Sequence, residues 1–176
     1  MRKRLINLAI VLMSIAIALV LAEFVVNKVI GSGRASDDMD PGLVAYDSKL
    51  GWRLTPGWRG EHRHADFRVS YQIGADGFRT AAEPSAPSAV PQTVVMGDSF
   101  TFGIGVSAAD TFVAQLTRAS SAKREFLNWG VPGYSTDQQL LLLQQLSLPP
   151  RVDQLLLVVY LGNDLLDNTR NYPLQA

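Results

Sequence analysis

Three polar-tipped segments recur at similar spacing through the C-terminal half of the chain, and their residue types suit acyl-ester chemistry. Thr93-Val94-Val95-Met96-Gly97-Asp98-Ser99-Phe100 sets a serine where a short β-branched apolar run stops. Asn128-Trp129-Gly130-Val131-Pro132-Gly133 and Tyr160-Leu161-Gly162-Asn163-Asp164 each sit at the end of another apolar run. A serine hydroxyl attacking an ester carbonyl needs a base to take its proton and donors around the oxygen that becomes negative. Ser99 is the candidate nucleophile. The backbone N–H of Ser99, the backbone N–H of Gly133 and the side-chain amide of Asn163 are three donors able to converge on one oxyanion. Glycine at 133 permits close backbone approach, and asparagine at 163 donates without adding charge. Plainer readings stand beside these: Gly133 after Pro132 suits an ordinary turn, and Asn163-Asp164 suits a strand-end turn capping the next helix.

The elements that must position these residues follow from the pattern around them. Thr93 to Met96, Glu125 to Asn128 and Gln154 to Leu161 read as strands apolar enough to be buried on both faces of a parallel sheet. Between them, Asp110 to Ala119 carries Phe112, Val113 and Leu116 at helical spacing. A second helix starts at Ser135 or Thr136, where Ser135 and Gln138 form a capping-box pattern. Leu140, Leu143 and Leu146 continue one face, and Pro149-Pro150 closes it. Strands alternating with helices imply an α/β sheet. Ser99, Gly133 and Asn163 are 34 and 30 residues apart, close to the ~30 residues of one βαβ unit. Each is therefore expected just beyond the C-terminal end of a successive parallel strand, the edge where such sheets assemble sites.

Upstream, residues 43–80 read as a small β-rich segment. Phe67, Val69, Tyr71 and Ile73 alternate with polar residues before Gly74, the pattern of a half-buried antiparallel strand. Trp52, Trp58 and Phe78 are read as its core, with a carbohydrate or acyl groove as the alternative. Residues 31–42 are small and polar, as in a flexible tether, and 81–91 form an Ala/Pro/Ser linker into the main domain, 92–176. Residues 1–30 hold Arg2, Lys3 and Arg4 followed by an apolar run through residues 5–26, broken by Asn7, Ser14 and Glu23. About 18 or more apolar residues can span the bilayer as a helix, and the basic cluster would stay cytoplasmic. A cleaved signal peptide is the rival, with Ala22 as a small residue for cleavage, but the apolar run exceeds the usual signal core. The expected localisation is a single-pass membrane protein with its main domain outside the cytoplasm, in a bacterial periplasm or at the cell surface.

Across all 176 residues, 16 Lys and Arg balance 16 Asp and Glu, and no basic stripe with interleaved aromatics follows residue 4. That argues against nucleic acid as a partner. The absence of cysteine excludes disulfides and thiolate metal sites.

Gly97-Asp98-Ser99-Phe100, Asn128 through Gly133, and Gly162-Asn163-Asp164 together resemble the first three conserved blocks of the SGNH, or GDSL-type, hydrolases, in order and spacing. The resemblance covers roughly residues 93 to 170. It implies a serine esterase, lipase or deacetylase on a flavodoxin-like three-layer α/β/α sandwich, with no cofactor and no metal. It also implies an ester-bearing substrate such as an acylated glycan or lipid. Carried over by residue, Ser99 would be nucleophile and N–H donor, Gly133 and Asn163 would complete the oxyanion hole, and Gly97, Asp98 and Asp164 would support the motifs. The family's base, a histidine in an Asp-x-x-His block, has no counterpart after His64. His62 and His64 lie upstream and read as an ordinary surface His-x-His. The expectation is therefore a chain truncated before that block, with little turnover by itself. An O-acyltransferase acting on cell-envelope polysaccharide and a non-catalytic envelope binding module remain as alternative readings.

Overall fold

The computed structural model describes residues 2–31, 37–80, 89–121 and 123–169. The chain divides into two compact units, Met1–Ser36 and Asp37–Ala176. The first is helix α1, Arg2–Gly31. Its stretch Ile6–Val26 spans 21 residues with mean hydropathy 2.7 and no burial within the molecule. At 1.5 Å per residue this reaches roughly 30 Å, the thickness of a hydrocarbon layer. A membrane-spanning helix and an N-terminal signal sequence share that length and composition. Ser14, a polar break in the run, folds its hydroxyl back onto the Ile10 carbonyl (2.9 Å).

The second unit begins inside the segment read as tether. β1 (Asp38–Met39) pairs antiparallel with β4 (Arg59–Arg63), which pairs with β5 (Arg68–Gln72). Arg63 fastens this edge through Asp40 at 2.5 Å, Glu61 at 3.0 Å and Asp38 at 3.2 Å. β2 (Val44–Asp47) and β3 (Gly51–Leu54) form a hairpin whose turn is held by Asp47 Oδ1, which accepts from the N–H groups of Lys49 and Leu50. In β5 the expected alternation turns Tyr71 inward, with Ile73 buried just beyond it. Residues 32–36 of the expected tether and 81–88 of the expected linker lie outside the described residues.

The main sheet is parallel and ordered β7-β6-β8, from β6 (Gln92–Gly97), β7 (Glu125–Gly130) and β8 (Val152–Leu157). β6 is central, and Thr93 through Gly97 are all buried. β8 departs from the reading of a strand buried on both faces. Leu155, Leu156 and Leu157 are 43%, 41% and 47% exposed, because among the described residues β8 pairs only with β6. The first expected helix is α3, Phe112–Ala119, entered through a 3₁₀ turn at Ala108–Asp110 and capped by Thr111 Oγ1 on the Ala114 N–H.

The second is α4, Thr136–Gln145. Its inward face is Gln138, Gln139 and Leu142, whereas Leu140 is exposed. Of the leucine stripe read from sequence, Leu143 and Leu146 pack against the core and Leu140 does not, because glutamines share the inward face. The cause is polar: Gln138 accepts from the Ser135 N–H (3.1 Å) and donates to the Leu50 carbonyl of the β-rich part (2.7 Å), which draws its side chain inside. One core joins the two parts, with Leu50, Leu54, Tyr71, Ile73 and Phe78 packed together with Met96, Phe102, Trp129 and Tyr134.

Candidate functional site

β6, β7 and β8 stop level with one another. Gly97 is paired with Gly130, and Met96 with Leu157. Two further backbone bonds extend the ladders by one step, Val131 N–H to Gly97 O (3.0 Å) and Val158 N–H to Met96 O (2.9 Å). The three segments singled out in the sequence therefore leave the sheet from the same edge, on adjacent strands.

Ser99 opens helix α2, Ser99–Phe102, directly after β6. Asp98 is its N-cap, and its Oδ1 accepts the Phe100 N–H at 2.9 Å, which braces the strand-to-helix turn. Ser99 is half-buried, and no described residue hydrogen-bonds its Oγ. The short helix lies hard against the sheet edge. A Cβ on Gly97 would come within 2.7 Å of Thr101 Cβ, and one on Gly130 within 2.6 Å of the Thr101 carbonyl carbon. Both glycines are thus explained by packing. Asn128 reinforces the contact: its amide donates to Thr101 O (2.7 Å) and its Oδ1 accepts the Gly130 N–H (3.0 Å).

Gly133 has φ +79°, a backbone that side-chain-bearing residues rarely adopt. Its turn is pinned by the β2–β3 hairpin. The Trp52 indole N–H donates to Pro132 O (3.0 Å), and the Tyr134 hydroxyl donates back to Trp52 O (2.5 Å). Trp52 is half-buried over this turn, Trp58 is half-buried with its N–H on Pro41 O, and Phe78 is buried and stacked on Trp129 at 4.3 Å.

Asn163 is the N-cap of α5, Asp164–Asp167, and its Nδ2 donates to Asp167 Oδ2 at 2.7 Å. An amide carries two hydrogens, so this bond fixes the group while leaving one donor. Asp164 is fully buried and accepts the Tyr160 N–H at 2.9 Å, so it ties the turn rather than capping the helix after it. Across the strand ends Phe100 and Tyr160 meet with ring centroids 4.5 Å apart.

His62 differs from its reading as a surface residue. It is 5% exposed, its Nδ1 lies 3.0 Å from the Tyr71 hydroxyl, and its Nε2 contacts Asp37. Tyr71 Oη also accepts from the Gly105 N–H (2.8 Å), which ties the phenol to both His62 and the chain after α2. Both ring nitrogens are then engaged, and neither is available to take a proton from Ser99. His64 is half-buried and stacked on Phe67. Among the described residues no group of three or more His, Cys, Asp or Glu side chains is arranged to hold a metal.

No protein-family model matches the chain, and no curated protein matches it.

Burial raises the Asp164 carboxyl above the usual carboxylate range, reinforced by the neighbouring Asp98 and Asp167 and opposed by the Tyr160 N–H bond. The fold thus favours the protonated form. Its contribution to stability is full below the ordinary carboxyl value and is lost as pH rises through the raised one. Asp164→Asn keeps the acceptor for Tyr160 and removes the charge. It is expected to raise the melting temperature at pH 7–8 by about 2–4 °C, the shift that about 1 kcal/mol makes in a domain of this size. The gain should vanish near pH 3. An unchanged or lower melting temperature at pH 7–8 would contradict the assignment.

Sequence reading missed Arg79, Tyr71, Trp52 and Asn128 as supports of the two turns. Tyr71 carried a signal as an inward position of an alternating strand, Trp52 as a core aromatic and Asn128 as the start of the second motif, whereas Arg79 carried none.

Proposed function

We propose that the chain belongs to a membrane-anchored, extracytoplasmic serine acyl-ester hydrolase of the SGNH type, on a flavodoxin-like three-layer α/β/α sandwich. The observation that carries the reading is the Ser99 turn: a serine with an unengaged hydroxyl at the first position of a helix, directly off the central strand, with the preceding aspartate bracing the turn. In this reading Ser99 Oγ attacks the ester carbonyl carbon and the C–O bond to the alcohol breaks. Negative charge gathers on the carbonyl oxygen beside the N–H groups of Ser99 and Gly133 and the second amide hydrogen of Asn163. Water then cleaves the acyl-enzyme. The Ser99 proton passes to a base other than His62, whose two ring nitrogens are engaged by Tyr71 and Asp37. Arg2, Lys3 and Arg4 ahead of Ile6–Val26 support a cytoplasmic N-terminus, with the site on the far side of the membrane.

The test is hydrolysis of p-nitrophenyl acetate by the whole gene product, after reading its coding region past the codon for Ala176. Asn163→Ala is expected to lower turnover about 100- to 1,000-fold, the cost of one oxyanion donor. A reduction under threefold would remove Asn163 from the site. Faster transfer of acetyl to a glycan than to water would reassign the reaction as acyl transfer. No Ser99-dependent turnover at all would leave a binding module.

A further inference from the structure

We infer that Arg79 is a positioning residue that holds the Ser99 helix from behind, resting on the proposal that Ser99 is the nucleophile. A four-residue helix has no stability of its own, and its final carbonyls need partners from elsewhere. For α2 the Asn128 amide serves Thr101 O (2.7 Å), and one guanidinium serves the last carbonyl of the helix and two just beyond it. Arg79 Nη1 donates to Phe102 O and Gly103 O, both at 2.6 Å, and Nη2 to Val106 O at 2.7 Å. The side chain is 5% exposed and sits against the rings of Tyr71 and Phe102, 4.6 and 4.8 Å from their centroids. No carboxylate among the described residues pairs with it. Burial pushes its pKa down to about 10.

A buried cation with no carboxylate partner among the described residues is costly, so a fold that keeps one is using it. Here the charge lies at the carbonyl end of α2, where positive charge is favoured, and the planar fork serves three oxygens that an ammonium cannot reach together. Tyr71 secures the same segment by accepting the Gly105 N–H. The backbone bonds that define α2, Phe102 N–H to Asp98 O and Gly103 N–H to Ser99 O, therefore depend on a clamp supplied by the β-rich part. Releasing the clamp lets the turn rotate and misdirects both the hydroxyl and the N–H of Ser99.

The experiment compares Arg79→Lys and Arg79→Ala with wild type in the whole gene product, by steady-state kinetics and by amide hydrogen exchange. Both variants are expected to lose about a hundredfold in kcat with KM within about twofold, the loss that a misplacement of about 1 Å causes. Exchange at Phe102, Gly103 and Ile104 should accelerate about tenfold or more, with β6 amides unchanged. Methylguanidinium should restore part of the kcat of Arg79→Ala, and urea at equal concentration should not. Unchanged kcat, unchanged exchange in residues 99–106, or a loss confined to KM would overturn the inference. Should Arg79→Ala not fold, Arg79→Lys alone decides. Should Ser99→Ala hydrolyse as fast as wild type, the nucleophile reading fails on its own, and the exchange measurement still decides whether Arg79 holds this turn.

Discussion

Ser99→Ala is expected to remove about 10⁴-fold or more of the ester hydrolysis of the whole gene product, the scale of losing a serine nucleophile. The melting temperature should stay within about 2 °C of wild type, because a side chain without an internal partner contributes little to stability. Three features make the expectation asymmetric. Ser99 Oγ has no described partner, so its removal leaves no buried group unsatisfied. Alanine is a good helix former and fits the first position of α2 without strain. The turn is held by Asp98, Asn128 and Arg79, none of which touches the hydroxyl. A large fall in melting temperature would make Ser99 a structural residue. Turnover of the variant within tenfold of wild type would send the search for the nucleophile elsewhere.

Gly130→Ala is expected to lower the melting temperature by about 10 °C or prevent folding. The added methyl would lie 2.6 Å from the Thr101 carbonyl carbon and 2.9 Å from Phe102 Cα. These are backbone atoms, so no side-chain rotation relieves the overlap. α2 cannot retreat easily either, since Phe102 is fully buried and its carbonyl is held by Arg79. Overpacking of this kind costs about 3 kcal/mol at the upper end of its usual range, and each kcal/mol is worth roughly 2–4 °C here. Thermal denaturation monitored by circular dichroism is the check. A shift below about 2 °C would mean that α2 is not seated against β7 as described.

The parallel strands, both intervening helices and the alternating β5 were legible because each rests on periodicity and on local turn chemistry. Asp98 stood out in the sequence only through the motif resemblance, and the structure makes it the N-cap of α2. What escaped was long-range and polar. The capping box marks Gln138 locally but not its burial, which follows from the Leu50 carbonyl lying within reach of its amide. His62 looked like half of a surface pair, but strand β4 turns it towards Tyr71, and its two hydrogen bonds reach residues 9 and 25 positions away in the chain. Arg79 follows Gly77-Phe78 with no pattern announcing burial, and its three acceptors lie more than twenty residues downstream. The apolar run in β8 was correctly read as a strand, but its partners could not be counted from composition.

The central place of β6 has a consequence for biosynthesis. Neither of its neighbours exists when it leaves the ribosome: Gln92 must wait for Glu125 and then for Val152. At ordinary elongation rates the delay to the second partner is roughly 3–12 s, during which Thr93-Val94-Val95-Met96 is an unpaired, strongly apolar strand. The β-rich part, including Tyr71 and Arg79, has already been synthesised by then. In the order of synthesis, the segment that looks like an accessory precedes the Ser99 turn whose Phe102 packs on it.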